Sequence, residues 1–492
     1  MTIVPDFNSK EITNTIIQHW VNTEEQDSIK LSFFPDFEIL SVTSQSEEAV
    51  FKFYKADSTL AIAVKRDNSQ LLEIHYKGKP HQALQPPWDG GFVWSYSKGY
   101  SPWLTLACQG IGSRLWWPSP IRYDDEPEQT KVSCIYPDSL FFKGNGKLIS
   151  DNKRDGIRKT TWQANYPINT YNITLNIGNY EHWHDTLNQI NNGVLSLDFY
   201  PLKENLEASK LQFSQAKPMI HCFEDAFGIF PFSKDGYSVV ETDFAGMEHQ
   251  TCIAYGNGYE NGYLGNDYSG IGLPFDFILI HESAHEWWGN SISAKTAGDF
   301  WLQEAFCTYA EMVYVDCLFG EEKALQYINT RKGLVKNEAA ILSPENHDAD
   351  MYFKGALMIH TLSSFLDTKE QWRDLLKAFY QSHKMKSISS QDVFTWFSNR
   401  IDGCTPDFFL QYLNIQSPPQ VYFKQVSKGD STSIELKILN GIDTFTLPLY
   451  LINDQGVTHK IYVNKALKKF TLTGKNFKLD ETKSYFIPKS DH

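Results

Sequence analysis

Across residues 30–200, apolar and polar positions alternate in short runs. Val50-Phe51-Lys52-Phe53-Tyr54 and Leu71-Leu72-Glu73-Ile74-His75-Tyr76 show this, and clusters of Pro, Gly and Asp separate such runs. A period of two puts one set of side chains on a buried face and the other in water, so the pattern predicts a β-rich N-terminal domain over residues 1–203. From Glu204 the period lengthens. Leu206 to Phe227 reads as a helix, and Phe230-Pro231-Phe232 leads into a short strand at Tyr237–Glu241. Residues 275–413 are mostly helical by pattern, with Gly and Pro at the breaks. Ser417-Pro418-Pro419 ends them, because proline cannot donate a backbone hydrogen bond and pushes its predecessor out of the α region. Beyond it Ser433–Ile438 alternates cleanly, Asn440-Gly441 signals a hairpin and Phe445–Ile452 supplies a strand, which predicts a small β-sandwich over residues 417–492. The expected fold class is multidomain α+β, with a mostly helical domain at 204–416 between two β-rich ones.

One helical segment carries polar groups that an apolar environment does not tolerate alone. Phe275, Phe277, Ile278, Leu279 and Ile280 precede His281-Glu282-Ser283-Ala284-His285, and Trp287 and Trp288 follow, with Gly289 placed to end the helix. A segment apolar nearly all round is normally buried. Two His and two Glu within it are costly unless they are paired or bind a metal. Residues four apart on a helix have Cβ atoms roughly 5–6 Å apart, so His281 and His285 can reach one ion, with Glu282 beside it as a general base. A second helical segment runs from Asp299, a candidate N-cap, to Gly320, a candidate stop, and carries Glu304 in its first turns. A His-His-Glu set with one open position is the ligand pattern of catalytic zinc.

Eighteen residues separate His285 from Glu304, and in this the chain resembles the gluzincin aminopeptidases of the M1 family. The resemblance extends over roughly residues 90–400. Ala245-Gly246-Met247-Glu248-His249 is similar to that family's GAMEN segment, and Tyr352-Phe353-Lys354-Gly355-Ala356-Leu357 to its YEKGA segment. Ala107-Cys108-Gln109-Gly110, with Trp116-Trp117-Pro118 and Asp125-Glu126-Pro127, resembles its N-terminal domain, as does the run from Pro167-Ile168 through Tyr171 to Gly178 and Tyr180. The resemblance implies a thermolysin-like zinc catalytic domain at 204–416 with one Zn2+ on His281, His285 and Glu304. It also implies Glu282 as general base, Tyr352 as oxyanion donor, and Glu248 with Gln109 as holders of the substrate amine. Gly246 and Met247 would run alongside the peptide, and Met247 would line the pocket for its first side chain, favouring Leu, Met, Ala or Arg. Two positions depart from the family pattern: His249 stands where Asn is usual and Glu286 where Gln is frequent. Glu286 is four residues from Glu282, so the two carboxylates either share a face and repel, or Glu286 is solvated or salt-bridged. Many family members continue into a large helical domain, whereas this chain ends after the small β region, which implies an open cleft with weak selection for peptide length.

Composition narrows the partners. With 492 residues, 41% of them hydrophobic, the chain can build two or three cores. A formal net charge of -14 argues against a nucleic-acid partner, because that affinity rests on Lys and Arg at phosphates. No apolar stretch of membrane-spanning length is present, so no membrane partner is expected. Met1 to Trp20 contains Asp6, Lys10 and Glu11 and no apolar signal core. Seven cysteines at irregular spacings do not read as a disulfide framework, and a cytoplasmic location is the expectation. The expected function is zinc-dependent removal of the N-terminal residue from peptides with a free N-terminus. The alternatives are a thermolysin-like endopeptidase, which would not need Glu248, an epoxide hydrolase, and a non-catalytic scaffold, against which Glu282 and Tyr352 count.

Overall fold

The computed structural model describes residues 1–23, 25–108, 112–343 and 348–489. The N-terminal region is β-sheet, the middle is mainly helical, and the C-terminal region returns to β-sheet. The chain forms two compact units that interleave in sequence: Met1–Pro218 with Phe230–Asn266 and Pro274–Glu286, and Met219–Ile229 with Asp267–Leu273 and Trp287–His492.

In the first unit, an eight-stranded sheet is built around Glu11–Val21 and Ser69–Gly78, paired antiparallel. Ile12 and Ile16 on one strand and Leu72, Ile74 and Tyr76 on the other are buried, and most of their neighbours face solvent. The alternation in sequence is therefore the alternation in space, and it fixes the register, since a slip of one residue would exchange the faces. Two four-stranded sheets accompany it, and an apolar cluster of residues drawn from between Ile3 and Ala254 forms a core within the unit. A five-stranded sheet follows, in which Tyr237–Glu241 lies centrally and Gly246–Met247 forms one edge, paired among the described residues with Ile253–Tyr255. The segment read as one helix from Leu206 is instead two, Leu206–Gln212 and Ala216–Phe227, joined by a tighter turn at Phe213–Gln215.

In the second unit, the helices Trp301–Phe319 and Asp350–Ser363 pack side by side. A Cβ on Gly355 would come within 2.6 Å of the Ala305 Cβ, so the small residue sets how closely these helices approach. Trp288 stacks on Phe306 with ring centroids 4.6 Å apart, and Trp287 donates its indole N–H to Gly228 O at 2.8 Å. The two tryptophans thus anchor the chain as it leaves the His-containing helix. A four-stranded and a three-stranded sheet close the C-terminal region. Asn440-Gly441 is not a hairpin there. Ser431–Ile438 belongs to the larger sheet and Leu447–Ile452 to the smaller, and the Asn440 side chain bonds Gln420 N and Pro418 O across the change of sheet. A local turn signal was used for a crossover.

One disulfide, Cys222–Cys317, joins two helices of this unit, while Cys108, Cys134, Cys252, Cys307 and Cys404 are buried thiols. The cysteines are not a framework, yet one pair is bonded, because folding brings together residues 95 apart in sequence. Among the described residues, no helix is long and apolar enough to cross a membrane.

Candidate metal centre

The first ligand-bearing helix is Phe277–Ala284. Asp276 caps it: its Oδ1 accepts from Leu279 N at 3.0 Å and from Asn257 Nδ2 at 2.9 Å, and its Oδ2 from Tyr255 OH at 2.6 Å and Gln212 Nε2 at 2.7 Å. Burial pushes this carboxyl up to about 6, and those four donors hold it from going higher. An Asp directly before an apolar run is an N-cap signal legible in the chain itself. The helix is shorter than expected, because regular bonding stops at Ala284, but His285 keeps right-handed helical angles, with φ -61° and ψ -21°. The four-residue spacing therefore still operates. The His281 ring lies parallel to the Phe277 ring at 5.6 Å, and the Nε2 atoms of His281 and His285 face each other at 3.3 Å.

The third residue comes from Trp301–Phe319, where Glu304 sits in the first turn. Thr296 and Asp299 form a capping box just ahead of it, so Asp299 is the box partner and Thr296 the cap. The ligand atoms of His281, His285 and Glu304 all lie within 4.8 Å of one another, and all three residues are buried. Two imidazole nitrogens on a tetrahedral zinc, each about 2.05 Å from it, stand roughly 3.3 Å apart. The set fits zinc in donor type, number and spacing.

A second group shares His285: ligand atoms of Glu248, Glu282 and His285 also lie within 4.8 Å of one another. Glu248 and Glu282 are 6% and 8% exposed. Gly246 explains how the strand comes so close to the helix. A Cβ there would meet Glu282 Oε1 at 2.6 Å and Ile278 Cγ2 at 2.7 Å, so a side chain at this position would displace the carboxylate. Met247 is 1% exposed and belongs to the apolar cluster of the first unit. Glu248 Oε1 accepts a hydrogen bond from the Tyr171 hydroxyl at 3.0 Å. Nothing in the spacing of Tyr171 announces that contact, because 77 residues separate the partners.

Residues 212–412 match the Peptidase family M1 domain. The whole chain superimposes on an aminopeptidase A from Legionella pneumophila with a TM-score of 0.83 at 15% identity, covering 100% of this chain and 59% of that one. The chain has the fold of the M1 zinc metallopeptidases. An M1 zinc metallopeptidase mutant from Deinococcus radiodurans, bound to a Tyr-Ser-Ala substrate, superimposes with a TM-score of 0.72 at 16% identity, over 85% of this chain and 93% of that one. In sequence, the chain is 25% identical over 406 residues to a probable aminopeptidase 2 from Sulfurisphaera tokodaii, which covers 78% of this chain. The chain spans about half of that relative's length, 49%.

Within the M1 fold, the Tyr-x-Lys-Gly segment divides its labour. Tyr352 lies on the helix Asp350–Ser363. Lys354 donates to the carbonyls of Ile415 and Gln416, each at 2.8 Å, and burial lowers its amine to about 8. Its bonds tie down the chain just after the helix Pro406–Leu413, a structural duty. Gly355 makes the helix contact described above. The two departures from the M1 pattern are both interior. Glu286 is neither solvated nor in a surface salt bridge: it is 0% exposed and its Oε1 accepts from Thr251 N at 2.7 Å, which fixes the loop that follows Glu248. His249 is also 0% exposed, neither ring nitrogen has a hydrogen-bond partner among the described residues, and burial lowers its imidazole to about 3. It is a neutral ring in the core. Gln109 lies outside the described residues.

Proposed function

We propose that the protein is a zinc aminopeptidase that removes the N-terminal residue from peptides. One observation carries this reading: His285 belongs at once to the metal ligand set and to a second buried group with Glu248 and Glu282. Two carboxylates so close together attract a cation, and a peptide's α-ammonium is one. Glu248 binds that ammonium, and this sets the register at the first residue of the peptide. Among the described residues the Gly246–Met247 strand is the last of its sheet, and an extended peptide can add to such an edge as a further strand.

His281, His285 and Glu304 would hold the zinc, which when bound would supply Lewis acidity toward the scissile carbonyl and acidify water at neutral pH. Glu282 takes the proton of the attacking water and delivers it to the leaving amine. The Tyr352 hydroxyl donates a hydrogen bond to the developing oxyanion, an interaction stronger in the transition state than in the ground state. Two of the similar structures fit this reading, one bound to a Tyr-Ser-Ala substrate and the other to aspartic acid.

Hydrolysis of a panel of aminoacyl-7-amido-4-methylcoumarins, with and without a zinc chelator and beside an N-acetyl-leucyl control, tests the proposal. Chelator-sensitive cleavage of free-amine substrates alone is expected, and the panel ranks the first-residue preference. Cleavage of the acetylated control would instead establish an endopeptidase. Glu282→Gln should retain its zinc, measured by elemental analysis, and lose turnover.

A further inference from the structure

We infer that Tyr171 is a positioning residue for recognition of the substrate amine, contributed by the β-rich N-terminal region. The inference rests on the reading of Glu248 as the amine-binding carboxylate. The Tyr171 hydroxyl donates to Glu248 Oε1 at 3.0 Å, and the two residues are 9% and 6% exposed. A hydroxyl donor fixes one carboxylate oxygen and so sets the plane of the other, which determines where an ammonium is received.

The surrounding backbone shows that this contact is held from both sides. Asn145 Nδ2 donates to Asn172 O at 2.9 Å and to Gln250 O at 2.7 Å, and these carbonyls lie next to Tyr171 and two residues past Glu248. Asn145 Oδ1 accepts from Thr174 N at 2.9 Å, and Gln250 Nε2 donates to Pro167 O at 3.1 Å. One amide therefore clamps the Tyr171 segment to the Glu248 loop. A tyrosine needed only for packing would not require its hydroxyl to be aimed at the substrate-binding carboxylate. Ground-state binding of the amine depends on that aim, while proton transfer by Glu282 does not.

The test compares two zinc-binding inhibitors that differ only in the amine, leucine hydroxamate and 4-methylpentanohydroxamic acid, on the zinc-loaded enzyme. The native protein should prefer leucine hydroxamate. Tyr171→Phe, which removes one oxygen and keeps the ring, should weaken leucine hydroxamate roughly tenfold and leave the des-amino compound unchanged. In turnover it should raise KM with kcat little altered. Equal weakening of both compounds, or an unchanged preference in a Tyr171→Phe protein with native zinc content and melting temperature, would overturn the inference. If the native protein shows no preference, or Glu248→Ala leaves it intact, the reading of Glu248 fails first, and the role of Tyr171 falls with it.

Discussion

At the scale of the residue, Tyr352 and His249 carry predictions of different kinds, one on turnover and one on stability. If Tyr352 stabilises the oxyanion, Tyr352→Phe should lower kcat by about a hundred- to a thousandfold with KM little changed, as for other single oxyanion donors. Steady-state kinetics on the best substrate of the panel checks this, and an unaltered kcat refutes the role. His249 acts on stability. Burial holds its imidazole at about 3, against the ordinary 6.5. Between those values the unfolded chain binds a proton that the folded chain does not. The contribution is thus fully present above pH 6.5 and is lost as the pH falls toward 3, by about 1.4 kcal/mol per unit. His249→Asn removes this term, so its urea midpoints at pH 7 and pH 5 should differ less than those of the native protein. Equal differences would show that His249 is not the group responsible. The ligands were legible at this scale because metal chemistry needs particular residue types at particular spacings. The interior roles of His249 and Glu286 were not, because a side chain's partners depend on which backbone folding brings beside it.

At the scale of the element, glycines decide how closely chemistry-bearing segments approach. Gly355 touches Ala305, whose neighbour is Glu304, so the helix bearing Tyr352 and the helix bearing the third ligand meet where neither has bulk. Gly355→Val overpacks that contact and should destabilise the protein by about 1–3 kcal/mol, measured by urea denaturation. A midpoint equal to the native one would show that the helices can separate freely there. Periodicity revealed most elements: Tyr237–Glu241 matches its prediction, and the strands around Leu71 and Ser433 extend the predicted ones by a few residues. It failed at ends and turns. The break at Phe213–Gln215 coincides with Gln215 Oε1 accepting from Asp276 N, 61 residues on, and the sheet change at Asn440-Gly441 with the bonds of Asn440 to Gln420 and Pro418.

At the scale of the whole molecule, the disulfide ties Ala216–Phe227 to Trp301–Phe319 across 95 residues. A cross-link over so long a loop restricts the unfolded chain, and its removal typically costs about 2–4 kcal/mol. Cys222→Ser should lower the denaturation midpoint accordingly, and added reductant should bring the native protein to the same value. Coincident midpoints without reductant would mean that the bond contributes nothing. No count of seven cysteines could have named this pair. The sequence by itself determined the three-part order of sheet, helices and sheet, because hydrophobic period is a local property. It also determined the ligand set and the M1 resemblance, because one ion imposes short, rigid spacings. Only the tertiary structure decided that Tyr171 meets Glu248, that Glu286 braces the loop at Thr251, and that Cys222 meets Cys317. Those pairings are made by packing between segments distant in sequence, and such encounters leave no periodic trace in the chain.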